Sequence, residues 1–164
     1  MHKKHRIVAW TCILSCAASV APCSAQTLTA EIKVATTAVK NNESFPVITI
    51  VRNVGSVEQS LLVWGCSYPS QWLPDNPAVH AEVVACLKNS SEEIKLKPGQ
   101  TYQRTVSLSV QLAGDGTDRK EVIFRLGYGP DAYFGTQPST SPKVPLFWSN
   151  AASVTVIRTA QPTR

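Results

Sequence analysis

The chain has 164 residues, with 16 Lys+Arg against 11 Asp+Glu, a formal net charge of +5, five cysteines and three histidines. Three of the basic residues and no acid fall in the first 25 positions, which leaves 13 Lys+Arg against 11 Asp+Glu, or +2, in the remainder. Lys33, Lys40, Arg52, Lys88, Arg104 and Arg125 are scattered through that remainder, which excludes the clustered basic surface that nucleic-acid binding needs.

The first segment, MHKKHRIVAWTCILSCAASVAPCSA, joins Lys3, Lys4 and Arg6 to an apolar stretch from Ile7 to Val20 and a small-residue site at Cys23-Ser24-Ala25. This is the layout of a secretory signal peptide over residues 1–25, removed before Gln26. The apolar stretch is shorter than the roughly 20 residues a spanning helix needs. Membrane attachment would arise only through a lipid on Cys16 or Cys23. The expected location is therefore exported, periplasmic or extracellular. The mature chain, about 139 residues, is long enough for one domain with a sizeable core, over residues 26–157. Residues 158–164 read as a frayed tail.

In the mature chain, LTAEIKVAT sets Leu28, Ala30, Ile32 and Val34 against Thr29, Glu31 and Lys33, the period-2 pattern of a half-buried strand. NNES reads as a turn. FPVITIVRN is a β-branched run that Pro46 permits only near its start. NVGS turns the chain again before LLVWG. A loop from Cys66 to Pro77 precedes AVHAEVVA, which reads as a strand, and EEIKL runs into the Pro98-Gly99 turn. YQRTVSLSV alternates most cleanly, with Tyr102, Arg104, Val106, Leu108 and Val110 on one face and Arg104 placed near the edge. After AGDGTD, the run EVIFRLGY buries Val122, Phe124 and Leu126. A Pro/Ser/Gly-rich stretch from Gly129 to Pro145 leads to a last strand, NAASVTVI. Seven to eight short strands with frequent turn signals and no helix between them predict an all-β, antiparallel two-sheet sandwich.

Removal of the leader leaves two cysteines, Cys66 and Cys86, and one histidine, His80. A zinc site needs about four Cys/His ligands, a blue-copper site needs two His with a Cys, and a redox pair favours C-x-x-C. No metal or cofactor is expected. In an oxidising compartment the two thiols are expected to close as a Cys66–Cys86 disulfide, which would stabilise the fold by roughly 3 kcal/mol. Were LLVWG and AVHAEVVA adjacent antiparallel strands joined by one tight loop, the two sulfurs would sit about 20 Å apart. The bridge needs Cα atoms within roughly 7 Å, so either residues 67–77 travel back before the next strand begins or the bridge does not form.

Asn53-Val54-Gly55 at the end of a β-rich run, and Leu96-Lys97-Pro98-Gly99 opening a later strand, resemble bacterial extracellular immunoglobulin-like domains of the cell-adhesion-related and accessory type. The resemblance implies an immunoglobulin-like sandwich acting as a non-catalytic module. A similar topology in BsuPI-type proteinase inhibitors implies an inhibitor instead.

Acid/base catalysis needs converging titratable groups. Glu92-Glu93 is the one adjacent acidic pair, and strand neighbours face opposite ways. Asp75, Asp115, Asp118 and Asp131 fall in turn contexts, where Asp bonds local backbone. AGDGTD lacks the regular oxygen spacing and distal Glu of a calcium loop. His80 is the only histidine base; a hydrolase would need it in a cleft with a hydroxyl and a carboxylate close by. The reading is therefore no enzyme, but an exported module that binds a protein or glycan through aromatic loops. Trp72, Tyr133 and Phe134 are the candidate binding surface, with at least two of them exposed at one end. Trp64 and Trp148, next to strands, are expected to be buried. The inhibitor alternative would present PSTSPK as pseudo-substrate.

Overall fold

The structure, a computed structural model, describes residues 27–83, 88–114, 118–129 and 146–158. Among these residues it is all-β, with twelve strands, one 3-10 turn at Tyr68–Gln71 and no α-helix. The strands are β1 (Leu28–Val34), β2 (Ala38–Lys40), β3 (Ser44–Asn53), β4 (Gln59–Trp64), β5 (Trp72–Pro74) and β6 (Val79–Ala81). They continue with β7 (Ser91–Leu96), β8 (Thr101–Val110), β9 (Arg119–Phe124), β10 (Leu126–Tyr128), β11 (Phe147–Trp148) and β12 (Ala152–Ile157). One sheet has the order β1-β3-β8-β6, a second β2-β12-β9, a third β11-β10-β5, and β4 pairs with β7 alone. Every pairing is antiparallel except β2 with β12.

Period-2 alternation accounts for the long strands. In β3, Phe45, Val47, Thr49, Val51 and Asn53 are buried and the residues between them are not. Opposite them in β8, Val106, Leu108 and Val110 are buried, while Thr101, Gln103, Thr105 and Ser107 are exposed. Pro46 is tolerated in this central strand because pairing with β1 starts only at Val47, leaving Ser107 of β8 as its one cross-strand neighbour. Phe45 of the first sheet meets Phe124 of the second edge to face, with centroids 6.4 Å apart.

Three departures from the sequence reading shape the molecule. Residues 38–40, unassigned above, form β2 in parallel with the last strand. EVIFRLGY divides at Arg125: β9 stays beside β12, whereas β10 joins β5 and β11. The His80 strand is short and pairs with β8, and LLVWG pairs with β7. The two strands flanking the Cys66–Pro77 loop are therefore not neighbours, and the chain between them crosses to a third sheet.

The two turn motifs interlock through Asn53. Its buried Nδ2 donates to the Val57 and Leu96 carbonyls, each at 2.8 Å, and its Oδ1 accepts from Gly55 N at 2.9 Å. Its backbone N–H donates to Gln100 O, and its carbonyl accepts from Gly99 N. Gly55 is favoured by close approach, since a Cβ there would lie 3.1 Å from the Thr27 side chain, which would have to shift. Gly99 takes a positive φ of 79°. Asn53→Ala strands several buried polar groups and is expected to lower stability by about 2 kcal/mol in urea unfolding. Asn53→Asp should act in the same direction, because a carboxylate cannot donate to Leu96 O.

Candidate functional site

The segment after β4 is built around side chains that substitute for a neighbouring strand. Gly65 N donates to Ser90 O. Cys66 N and Ser67 N both donate to Asn89 Oδ1, at 3.2 and 3.4 Å, and Cys66 Sγ lies 3.5 Å from Lys88 O. Cys86 is outside the described residues. The 3-10 turn begins with Pro in its first positions, where a missing N–H costs nothing. At its end Gln71 is fully buried and lies along the free edge of β4. Its Oε1 accepts from Trp64 N and its Nε2 donates to Leu62 O, both at 2.9 Å. Tyr128 adds a hydroxyl bond to the same Leu62 carbonyl, and Gln71 Nε2 reaches the Tyr128 oxygen at 3.1 Å.

The turn also delivers Tyr68 and Trp72 to the core. Trp72 is 1% exposed, so it is no part of a binding surface. The reason is its partners: rings run edge to face from Tyr102 through Tyr68, Trp72 and Tyr128, with centroids 6.2, 6.2 and 5.3 Å apart, and Tyr128 stacks on Phe147 at 5.1 Å. Such contacts strengthen aromatic burial beyond the area term alone. The Tyr68 hydroxyl pairs with Thr49 Oγ1 at 2.8 Å, and Thr49 Oγ1 donates to Arg104 O. Arg104, on the core-facing side of β8 as its alternation implied, sits 4.8 Å over the Tyr68 ring. Its guanidinium donates to Gly65 O at 2.7 Å and Trp64 O at 3.3 Å, tying β8 to the end of β4.

Burial pushes both the Tyr68 and Tyr128 phenols above their ordinary value of 10.0. A raised folded-state value means the neutral phenol is favoured, so this contribution is complete below pH 10 and declines as pH rises above it. Equilibrium unfolding against pH should therefore show an alkaline loss of stability, and Tyr128→Phe should make that loss shallower.

On the outside of the third sheet a different cluster forms. Asp75 Oδ1 accepts the Arg125 backbone N–H at 2.7 Å, and Oδ2 accepts Arg125 Nε at 2.9 Å. Asp75 N in turn donates to Arg125 O. These bonds replace strand pairing at Arg125 and explain the break between β9 and β10. Burial acts to raise the Asp75 carboxyl; the Arg125 backbone N–H and guanidinium outweigh it and hold the group below its usual range. The sequence reading assigned Asp75 to a local turn, whereas its partner lies 50 positions away. The Arg125 guanidinium stands 5.3 Å over the ring of Trp148. Trp148 is 38% exposed, contrary to the expectation of burial, and Trp64 is half-buried. Gly127 is directly opposite both Leu73 and Trp148 in the ladder, which puts those two side chains on one face with no side chain between them.

His80 is exposed. Ser109 is its ladder partner and is itself opposite Ser44, but the Ser44 hydroxyl bonds Glu82, and His80 makes no hydrogen bond among the described residues. Asp118 pairs with Arg158 at 3.7 Å. Among the described residues no three His, Cys, Asp or Glu side chains group as metal ligands, and no helix is long and apolar enough to cross a membrane. Residues 1–25, Tyr133, Phe134, PSTSPK, Asp115 and Asp131 lie outside the described residues.

No family model matches the chain, and no curated protein matches it. Among solved structures it is similar to AvmM, which catalyses macrocyclization in alchivemycin A biosynthesis, at 8% identity over 85% of this chain and 92% of that one. The TM-score is 0.34, too low to transfer topology or chemistry.

Proposed function

We propose that the chain is an exported, non-catalytic, immunoglobulin-like interaction module whose binding surface is centred on Trp148 and Arg125. The observation that carries this reading is the half-exposed Trp148 ring beneath a guanidinium that Asp75 holds in place. Trp and Arg dominate binding energy at protein surfaces. In the sequence, Tyr133 and Phe134 fall between β10 and β11, the two strands whose pairing carries Trp148. The order β1-β3-β8-β6 supports the immunoglobulin-like assignment by matching the A-B-E-D sheet, with β12 and β9 as the G and F strands of the other. The position of β7 departs from that scheme: it lies between the D-like and E-like strands in the chain, yet pairs with the C-like β4.

Export also implies the Cys66–Cys86 disulfide. The reading is supported by the proximity of Cys66 Sγ to the Lys88 carbonyl, two residues past Cys86. Purified mature protein should show no alkylatable thiol without reductant and two with it; two reactive thiols in the untreated protein would remove the staple.

Affinity capture from the exported fraction, together with glycan-array screening, tests the function. At least one partner should be retained by the wild type and lost by both Trp148→Ala and Arg125→Ala. Identical profiles for all three proteins would overturn the assignment.

A further inference from the structure

We propose that the strip Ile123, Arg125, Trp148 and Leu146 is a self-complementary surface at which two copies of this chain meet across a two-fold axis. The assignment rests on the reading of this corner as a binding surface and names its occupant. Ile123, Leu146 and Trp148 are 59%, 62% and 38% exposed. Ile123 stands two positions before Arg125 on one segment and Leu146 two positions before Trp148 on another, and Trp148 is opposite Gly127, two positions past Arg125. Large apolar side chains around a Trp and an Arg give the composition of an interface centre.

Three features select the occupant. A sugar ring stacks on an open aromatic face, and here the guanidinium of Arg125 covers one face of Trp148; this disfavours a glycan. The second feature is rigidity. Arg125 is fixed through both its backbone N–H and its Nε, so little side-chain freedom is lost on association. The third is charge. Arg125 is the strip's cation and its ion-pair partner Asp75 lies beside it; the terminal amino groups of Arg125 make no bond among the described residues, and each Asp75 oxygen keeps a spare lone pair. A two-fold axis sets the Arg125 of one copy against the Asp75 of the other, and the same patch serves both sides. Edge-to-edge pairing is the competing route to a dimer. The edge strand β7 is poorly suited to it, because Glu92, Glu93 and Lys95 are all exposed there.

Sedimentation equilibrium on the oxidised mature chain, over a broad concentration range, tests the proposal. The wild type should be a reversible dimer. Ile123→Arg, which replaces an exposed side chain and leaves every hydrogen bond of the corner in place, should raise the dissociation constant at least about tenfold. The charge exchange Asp75→Arg with Arg125→Asp should still self-associate, but should not associate with the wild type, since a mixed pair sets like charges together. A wild type that stays monomeric throughout overturns the proposal, as does an Ile123→Arg dimer of unchanged affinity. Mixed pairs forming as readily as like pairs would do the same. Should the exchange variant not fold, Ile123→Arg decides alone. A monomeric wild type that still captures a partner through Trp148 removes the second copy as occupant and leaves the binding surface standing.

Discussion

Trp72→Ala is expected to lower the unfolding free energy by about 4 kcal/mol, the range found when a large aromatic is deleted from a packed core. The ring is almost completely buried between Tyr68 and Tyr128, and its Nε1 has no partner within normal hydrogen-bond geometry among the described residues. The loss is therefore chiefly one of packing and apolar burial. It should appear in urea unfolding as a lower midpoint with an unchanged slope. Trp148→Ala is the control. That ring is 38% exposed, and its removal should change stability by less than about 1 kcal/mol. Equal effects at the two tryptophans would mean that the core and surface roles argued above are misassigned.

Gln71→Leu should also destabilise, by about 3 kcal/mol, for a different reason. Leucine fills a similar volume but leaves the part-buried Trp64 N–H without the Gln71 acceptor, where an unmet polar group costs about 1–3 kcal/mol, and takes one of two donors from the Leu62 carbonyl, which keeps the Tyr128 hydroxyl. The Tyr128 hydroxyl would also lose its bond from Nε2. Gln71→Glu separates the contributions. A carboxylate can still accept from Trp64 N, but it sets an anionic oxygen against the Leu62 carbonyl where the amide donated. The expected result is a variant that is destabilised at neutral pH and partly recovers as the carboxyl becomes protonated on acidification. Hydrogen exchange at the Trp64 amide gives the local readout: protection should be lost in Gln71→Leu and kept in Gln71→Glu.

Within strands, much of the structure was legible beforehand because backbone pleating imposes a period of two. The buried sets Phe45/Val47/Val51 and Val106/Leu108/Val110 follow from alternation alone, and so does the placement of Arg104 on the inner face. Alternation says nothing about where a strand changes partner. Val122, Phe124, Leu126 and Tyr128 keep the same phase across Arg125, so the division there was invisible; Asp75, 50 positions earlier, causes it. The three residues of β2 are too few to carry a period, and their partner is the last strand. Gln71 gave no warning either. A glutamine in SYPSQWLPDNP looks solvated, and its burial depends on a free strand edge that exists only once β4 and β7 have paired.

The amino-acid order alone determined the all-β character, the positions of the longer strands and which of their side chains turn inward, since each depends on contacts or periodicities a few residues long. It also singled out Asn53-x-Gly55 and Leu96-x-Pro98-Gly99, although not that one asparagine joins them. Only the tertiary structure decided which tryptophan is core and which is surface. Both stand at the ends of short strands where no period operates, and the outcome rests on rings and charges brought from distant parts of the chain: Tyr128 to Trp72, and Arg125 to Trp148.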